Sequence, residues 1–98
     1  MNTKRISNHD LKKNFNQFKS TNLYIGNNVL ISYGLIVGLY VNGQWTSSNG
    51  YHDFSTTTSK QITTATRVDT ATRRKTWNII SEEEFINLSN DYINSLNL

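Results

Sequence analysis

An α+β fold, a small antiparallel sheet of three to five strands carrying about three helices, is predicted by three features of this chain. Short runs of β-branched and aromatic residues crowd the interval 23–54, and such residues suit a pleated, half-buried surface. Asn42-Gly43 stands between two of those runs. It is the strongest hairpin signal in the chain, because a type I′ turn needs positive φ at both central positions. Amphipathic stretches with serine-led starts lie at either end of the chain, outside the strand region. Ninety-eight residues with 36% hydrophobic content make a single domain, 1–98, with a thin core.

The elements follow in order. Leu11, Phe15 and Phe18 fall at i, i+4 and i+7 after Ser7 and Asp10, which imitate a capping box. This predicts a first helix from about Asn8 to Lys19, with Lys12, Lys13 and Lys19 on its polar side. Leu23-Tyr24-Ile25 reads as a strand, Gly26-Asn27-Asn28 as a turn, and Val29 to Tyr33 as a second strand. Gly34 marks a bulge or a bend before a third strand, Leu35 to Val41. Gln44 to Ser47 then pairs back onto Leu39 to Val41. Asn49-Gly50 offers another turn, with Tyr51 to Phe54 as a short return strand.

Thr57 to about Val68 is predicted helical, burying Ile62 and Ala65 with Val68 at its end, although threonine is a mediocre helix former and the helix must lean on packing. Trp77-Asn78-Ile79-Ile80 reads as a further strand. Ser81-Glu82-Glu83-Glu84 is a capping box whose carboxylates suit a helix N-terminus, and Phe85, Leu88, Tyr92, Ile93 and Leu96 supply the apolar face of the last helix. The two terminal helices are expected to cover the apolar faces of the sheet.

Charge is unevenly placed. Residues 1–81 hold ten Lys or Arg against Asp10, Asp53 and Asp69, giving +7, while residues 82–98 hold Glu82, Glu83, Glu84 and Asp91 and no base, giving −4. A basic body is compatible with nucleic acid, nucleotides or an acidic protein surface. Zero cysteines exclude a disulfide framework and thiolate metal sites. The N-terminus lacks the apolar segment of a signal peptide, and the stretch Val29 to Val41 is too short to span a bilayer. A cytoplasmic protein with no membrane partner is expected.

Three patterns point to binding. At 100° per residue, Lys60, Arg67 and Arg74 share one sector of a continuous helix, a stripe suited to phosphates; the competing reading is a solvated helix face with Asp69 and Arg73 paired at i, i+4. The run Ser55-Thr56-Thr57-Thr58-Ser59 before Lys60 is a helix cap through Ser55, Thr56 or Thr57. Alternatively, Thr57, Thr58, Ser59 and Lys60 hold a phosphate or carboxylate. Tyr40, Trp45 and Tyr51 belong to a crowd of sheet aromatics that pack across strands or stack on bases.

Catalytic patterns are missing. His52 and Asp53 are neighbours on a strand and point to opposite faces, and two histidines with scattered acids make no metal spacing. There are no P-loop glycines. No cofactor, no metal and no enzymatic activity are expected.

The segment Ser32-Tyr33-Gly34-Leu35-Ile36-Val37-Gly38-Leu39-Tyr40, then Trp45, then Phe54-Ser55-Thr56-Thr57-Thr58-Ser59-Lys60-Gln61 resembles small uncharacterised domains of bacteriophage and prophage proteins. In these a Tyr-Ser-Tyr-x-Thr-x-Val-Ala strand leads through a hairpin to Ser-x-Thr-Thr-Ser-Lys/Arg-His/Gln and a helix. The resemblance covers about residues 30–67, with Gly34-Leu35-Ile36 lacking the usual threonine and Gln61 in place of the more frequent histidine. It implies a phage origin and a hairpin-to-helix core. By analogy with other small phage proteins, the expected function is inhibition of a host defence complex in the host cytoplasm, as an anti-CRISPR-like protein binding a defence protein or ribonucleoprotein. The alternatives are a small DNA- or RNA-binding regulator and a phosphate-binding sponge for nucleotide signals.

Overall fold

A computed structural model describes residues 4–48 and 56–97, without the side chains at 56–59, 70 and 74. The elements run α1 (Asn8–Asn14), β1 (Asn16–Gln17), β2 (Leu23–Ile25), β3 (Val29–Ser32), β4 (Leu35–Val41), β5 (Gln44–Ser48), α2 (Thr56–Thr66), α3 (Thr70–Thr76), β6 (Asn78–Ile80) and α4 (Glu82–Ser95). The class is α+β, and the described residues form six strands and four helices rather than three to five and three. The six strands form one sheet in chain order. It is mixed, not antiparallel: β1 to β5 meander, but β6 lies parallel to β5 with Thr46 opposite Asn78. Parallel neighbours need a long crossover, and residues 49–77 provide it, with α2 and α3 on the way.

Alternation along the strands divides the core in two. Tyr24, Val29, Ile31, Ile36 and Leu39 join Ile6, Leu11 of α1 and Phe85 of α4 on a first face. Leu23, Leu30 and Val37 join Ile62 of α2 and Trp77 on a second. The terminal helices therefore share one face, and α2 covers the other. A sheet covered on both sides needs apolar residues in both phases; this is why Leu23-Tyr24-Ile25 and Val29-Leu30-Ile31 read as continuous apolar runs.

One irregularity sets the phase. Leu30 pairs with Gly38 but Ile31 pairs with Ile36, so Val37 is an extra residue in β4. The bulge puts Ile36 and Leu39, three apart, on the same face, which strict alternation forbids. Gly34 is a bend and not the bulge: Tyr33 and Gly34 have φ of 54° and 80°, forming the tight turn from β3 to β4. A Cβ on Gly34 would also lie 2.8 Å from the Ile6 carbonyl oxygen, because the N-terminal segment is held there by the Ile6 N–H donating to Gly34 O at 2.9 Å. Asn42 and Gly43, at φ 51° and 81°, make the expected hairpin turn, pairing Tyr40 with Trp45.

The first helix ends at Asn14 rather than Lys19. Phe15 caps it in an extended conformation and the chain enters β1. Phe15 packs on the first face and Phe18 on the second, as three steps of extended chain require. Ser7 and Ser81 cap α1 and α4 as expected, each hydroxyl accepting from the backbone N–H three residues on, at 3.2 Å. The Asn49-Gly50 turn and the Tyr51 to Phe54 strand lie outside the described residues.

Candidate binding surface

The basic stripe does not survive folding. Its geometry requires one continuous helix, but α2 stops at Thr66, Arg67 takes φ 59°, and α3 starts afresh at Thr70 behind the cap Asp69. The Arg67 N–H donates to Thr63 O at 2.7 Å and closes α2 with a left-handed residue, an ending usually given to glycine. Lys60 lies exposed on α2, Arg67 lies exposed at its end, and Arg74 belongs to the separate helix α3. Counting 100° per residue across the break has no meaning.

Arg73 is the larger surprise. It is 5% exposed, so the solvated-face reading of the Asp69 and Arg73 pair fails as well. Its guanidinium donates from Nη1 to Thr63 Oγ1 at 3.0 Å and to the Val68 carbonyl, tying α3 to the end of α2. Burial pulls its pKa down, with the charge of Asp69 acting in the opposite sense. Asp69 itself accepts from the Thr72 N–H at 2.7 Å. That backbone bond is the main reason its carboxyl titrates below the usual range, with the Thr72 hydroxyl and Arg73 adding to the effect.

The hydroxyl run does start a helix. Thr56 is the first residue of α2, and Thr57, Thr58 and Ser59 follow within its first turn. The side chains of these four residues lie outside what the structure describes, so only Lys60 of that anion site is placed.

What the fold does bring together is aromatic. Tyr40 on β4 and Trp45 on β5 meet edge to face across the hairpin, with ring centroids 5.5 Å apart and planes at 67°. Trp45 then stacks on Trp77, also at 5.5 Å, with planes 18° apart. The parallel register explains the second contact: Thr46 opposite Asn78 sets Trp45 beside Trp77 one position earlier. Trp77 also lies over Gly38, where an added Cβ would come within 3.1 Å of the indole. The glycine makes the floor on which that ring lies flat.

Exposure rises along this row. Trp77 is 8% exposed, Trp45 is half-buried and Tyr40 is 47% exposed. The buried end anchors the row and the open end offers a π surface, an arrangement that serves stacking better than three loose rings. Lys75 is exposed two residues before Trp77, and Gln44 Nε2 donates to Thr76 O at 3.1 Å, joining the end of α3 to the start of β5. Lys75 of α3 thus precedes the buried end of the row by two residues, while α2, with Lys60, rests on β2 two strands from β4.

Of the residues that the sequence nominates for binding, the fold unites Tyr40 and Trp45, separates Lys60, Arg67 and Arg74, and leaves Tyr51 outside the described residues. Trp77 joins them as a buried anchor, and Lys75 is exposed two residues before it. Only the neighbour of Trp77 across the sheet could have revealed its role, and a parallel pairing across some thirty residues leaves no local mark. Among the described residues, no group of three or more His, Cys, Asp or Glu comes together, and no helix is long and apolar enough to cross a membrane. Compared with protein-family models, curated proteins and solved structures, the chain finds no match.

Proposed function

We propose that the chain is a non-enzymatic binding protein of phage origin that inhibits a nucleic-acid-bearing host defence complex of the CRISPR effector kind, with Tyr40 and Trp45 as its contact surface and Trp77 as their buried anchor. The observation that carries this reading is the graded aromatic row, which runs from buried Trp77, just after α3 and its exposed Lys75, to the exposed ring of Tyr40. Open rings on a chain of net charge +3 favour polyanions with stacking faces, and a ribonucleoprotein presents both in its guide strand. The resemblance of residues 30–67 to small phage domains supports the choice of a defence complex over other nucleic-acid machinery.

Phage plating on cells with an active CRISPR system tests the reading. The wild-type chain should restore plating, and a Tyr40→Ala/Trp45→Ala variant with unchanged melting should not. Gel filtration with the purified effector, before and after nuclease, locates the contact. Unchanged plating and no co-elution with any effector tried would sink the inhibitor reading.

The same row also favours a second reading, a small single-strand-binding regulator, because base stacking on such rings is tolerant of sequence. A free oligonucleotide that quenches tryptophan emission with steep salt dependence, and no retention on an effector, would select it.

A further inference from the structure

On the first face, away from the aromatic row, a groove of about 300 Å³ opens between the end of α1, the turn from β2 to β3 and the last turn of α4. Four carboxamides line it, Asn14, Asn16, Asn27 and Asn28, together with the rings of Phe15 and Tyr92, and among the described residues no acidic or basic side chain lines it. We infer that this groove binds a neutral, flat heterocycle carrying both a hydrogen-bond donor and an acceptor, the chemistry of an adenine base without its phosphates.

The carboxamides are already oriented. Asn14 Nδ2 donates to the Asp10 carbonyl at 3.0 Å, which leaves its Oδ1 as an acceptor for a ligand. Asn28 is turned the other way: its Oδ1 accepts from the Tyr92 hydroxyl at 3.3 Å, which leaves Nδ2 as a donor. Burial raises the Tyr92 pKa, so that hydroxyl keeps its proton and its hold on Asn28 near neutral pH. An acceptor and a donor from different elements match the amino group and ring nitrogen of adenine, as asparagine matches them in nucleic-acid recognition. Phe15 and Tyr92 offer the apolar surface for its faces, and the volume is at the lower bound of small-ligand pockets. Without a cation in the lining, a phosphate adds nothing.

Titration of the full chain with adenosine, inosine and adenosine monophosphate, followed by amide chemical shifts, tests the site. Adenosine should move the resonances of residues 14–16, 26–28 and 92. Inosine, which carries an oxygen in place of the amino group, should bind roughly tenfold more weakly, and the monophosphate no more tightly than adenosine. Asn28→Ala should weaken adenosine by a similar factor, whereas Trp45→Ala, on the opposite face, should leave it unchanged. This last variant keeps the groove's test separate from that of the aromatic row. No shifts up to the solubility limit, equal binding of inosine, or tighter binding of the monophosphate would each overturn the proposal; the nucleoside comparison is made on the wild-type chain and does not depend on a variant folding.

Discussion

The two faces of the sheet are built differently. The first is closed by a 14-residue helix, α4, whose Phe85, Ile86 and Ser89 are buried, and by α1 with Leu11. The second is covered by α2 and followed by α3, threonine-rich helices joined at a left-handed arginine and tied by a buried guanidinium. Their charges differ in sign. Residues 56–77 hold five bases and one acid, giving +4, whereas α4 holds four acids and no base, giving −4. A face sealed by aliphatic and phenyl groups stores stability. A face that stops short of Tyr40 leaves an aromatic surface open, with the exposed Lys75 of α3 two residues before the row's buried end. One sheet thus carries an acidic, well-packed cover on one side and a basic, threonine-rich cover on the other.

Phe85→Ala should be the most damaging substitution. The ring is fully buried where α4 meets the sheet, and removing it should cost about 3–5 kcal/mol, measured by urea denaturation. A smaller loss than that caused by changes on the second face would break the comparison. Arg73→Met comes next. It keeps the bulk of the stem but strands the Val68 carbonyl and the Thr63 hydroxyl, for a loss of about 2 kcal/mol. Hydrogen exchange should show the loss as faster opening of α2 and α3, with α4 protected.

Acidification probes the same helices more gently. The folded pKa of Asp69 lies below its ordinary value, so its support of α3 is complete above the unfolded carboxylate pKa of about 3.9. That support is lost as pH falls through the lower folded value. Exchange of the Thr72 amide should quicken there, and Asp69→Asn, a cap that does not titrate, should remove the pH dependence. The smallest effect belongs to Ser89→Ala. The Ser89 hydroxyl is buried without a hydrogen-bond partner among the described residues, so its removal should be neutral or stabilising by up to about 1 kcal/mol, read as an equal or higher Tm. A clear loss would show that the first face is less apolar in its demands than its composition implies.

Local chemistry was legible in the sequence and distant pairing was not. Caps at Ser7 and Ser81 and the Asn42-Gly43 hairpin depend on a few adjacent residues, so they could be read directly. The same hairpin made Tyr40 and Trp45 legible as neighbours. The helix break at Arg67 was hidden because an arginine, not a glycine, takes the left-handed position. Phe18 fitted a helical spacing as well as an extended one, and tertiary pairing of β1 with β2 decided between them. The burial of Arg73 and the stacking of Trp77 both follow from where the crossover lands β6, a choice made by packing across the whole domain.

The extra residue at Val37 has a genetic corollary. Loss of that one codon would leave the two strands in regular register, because Leu30 would still pair with Gly38 and Ile31 with Ile36, and every side chain beyond would keep its face. Loss of Leu39 instead would slip the register by one and turn Tyr40 and Trp45 toward the α4 side, with Val41 and Thr46 toward α2. Positions along β4 therefore differ in what their removal does: the strand can lose its extra residue and keep the hairpin's facing, but a length change between Gly38 and the Asn42-Gly43 turn inverts it.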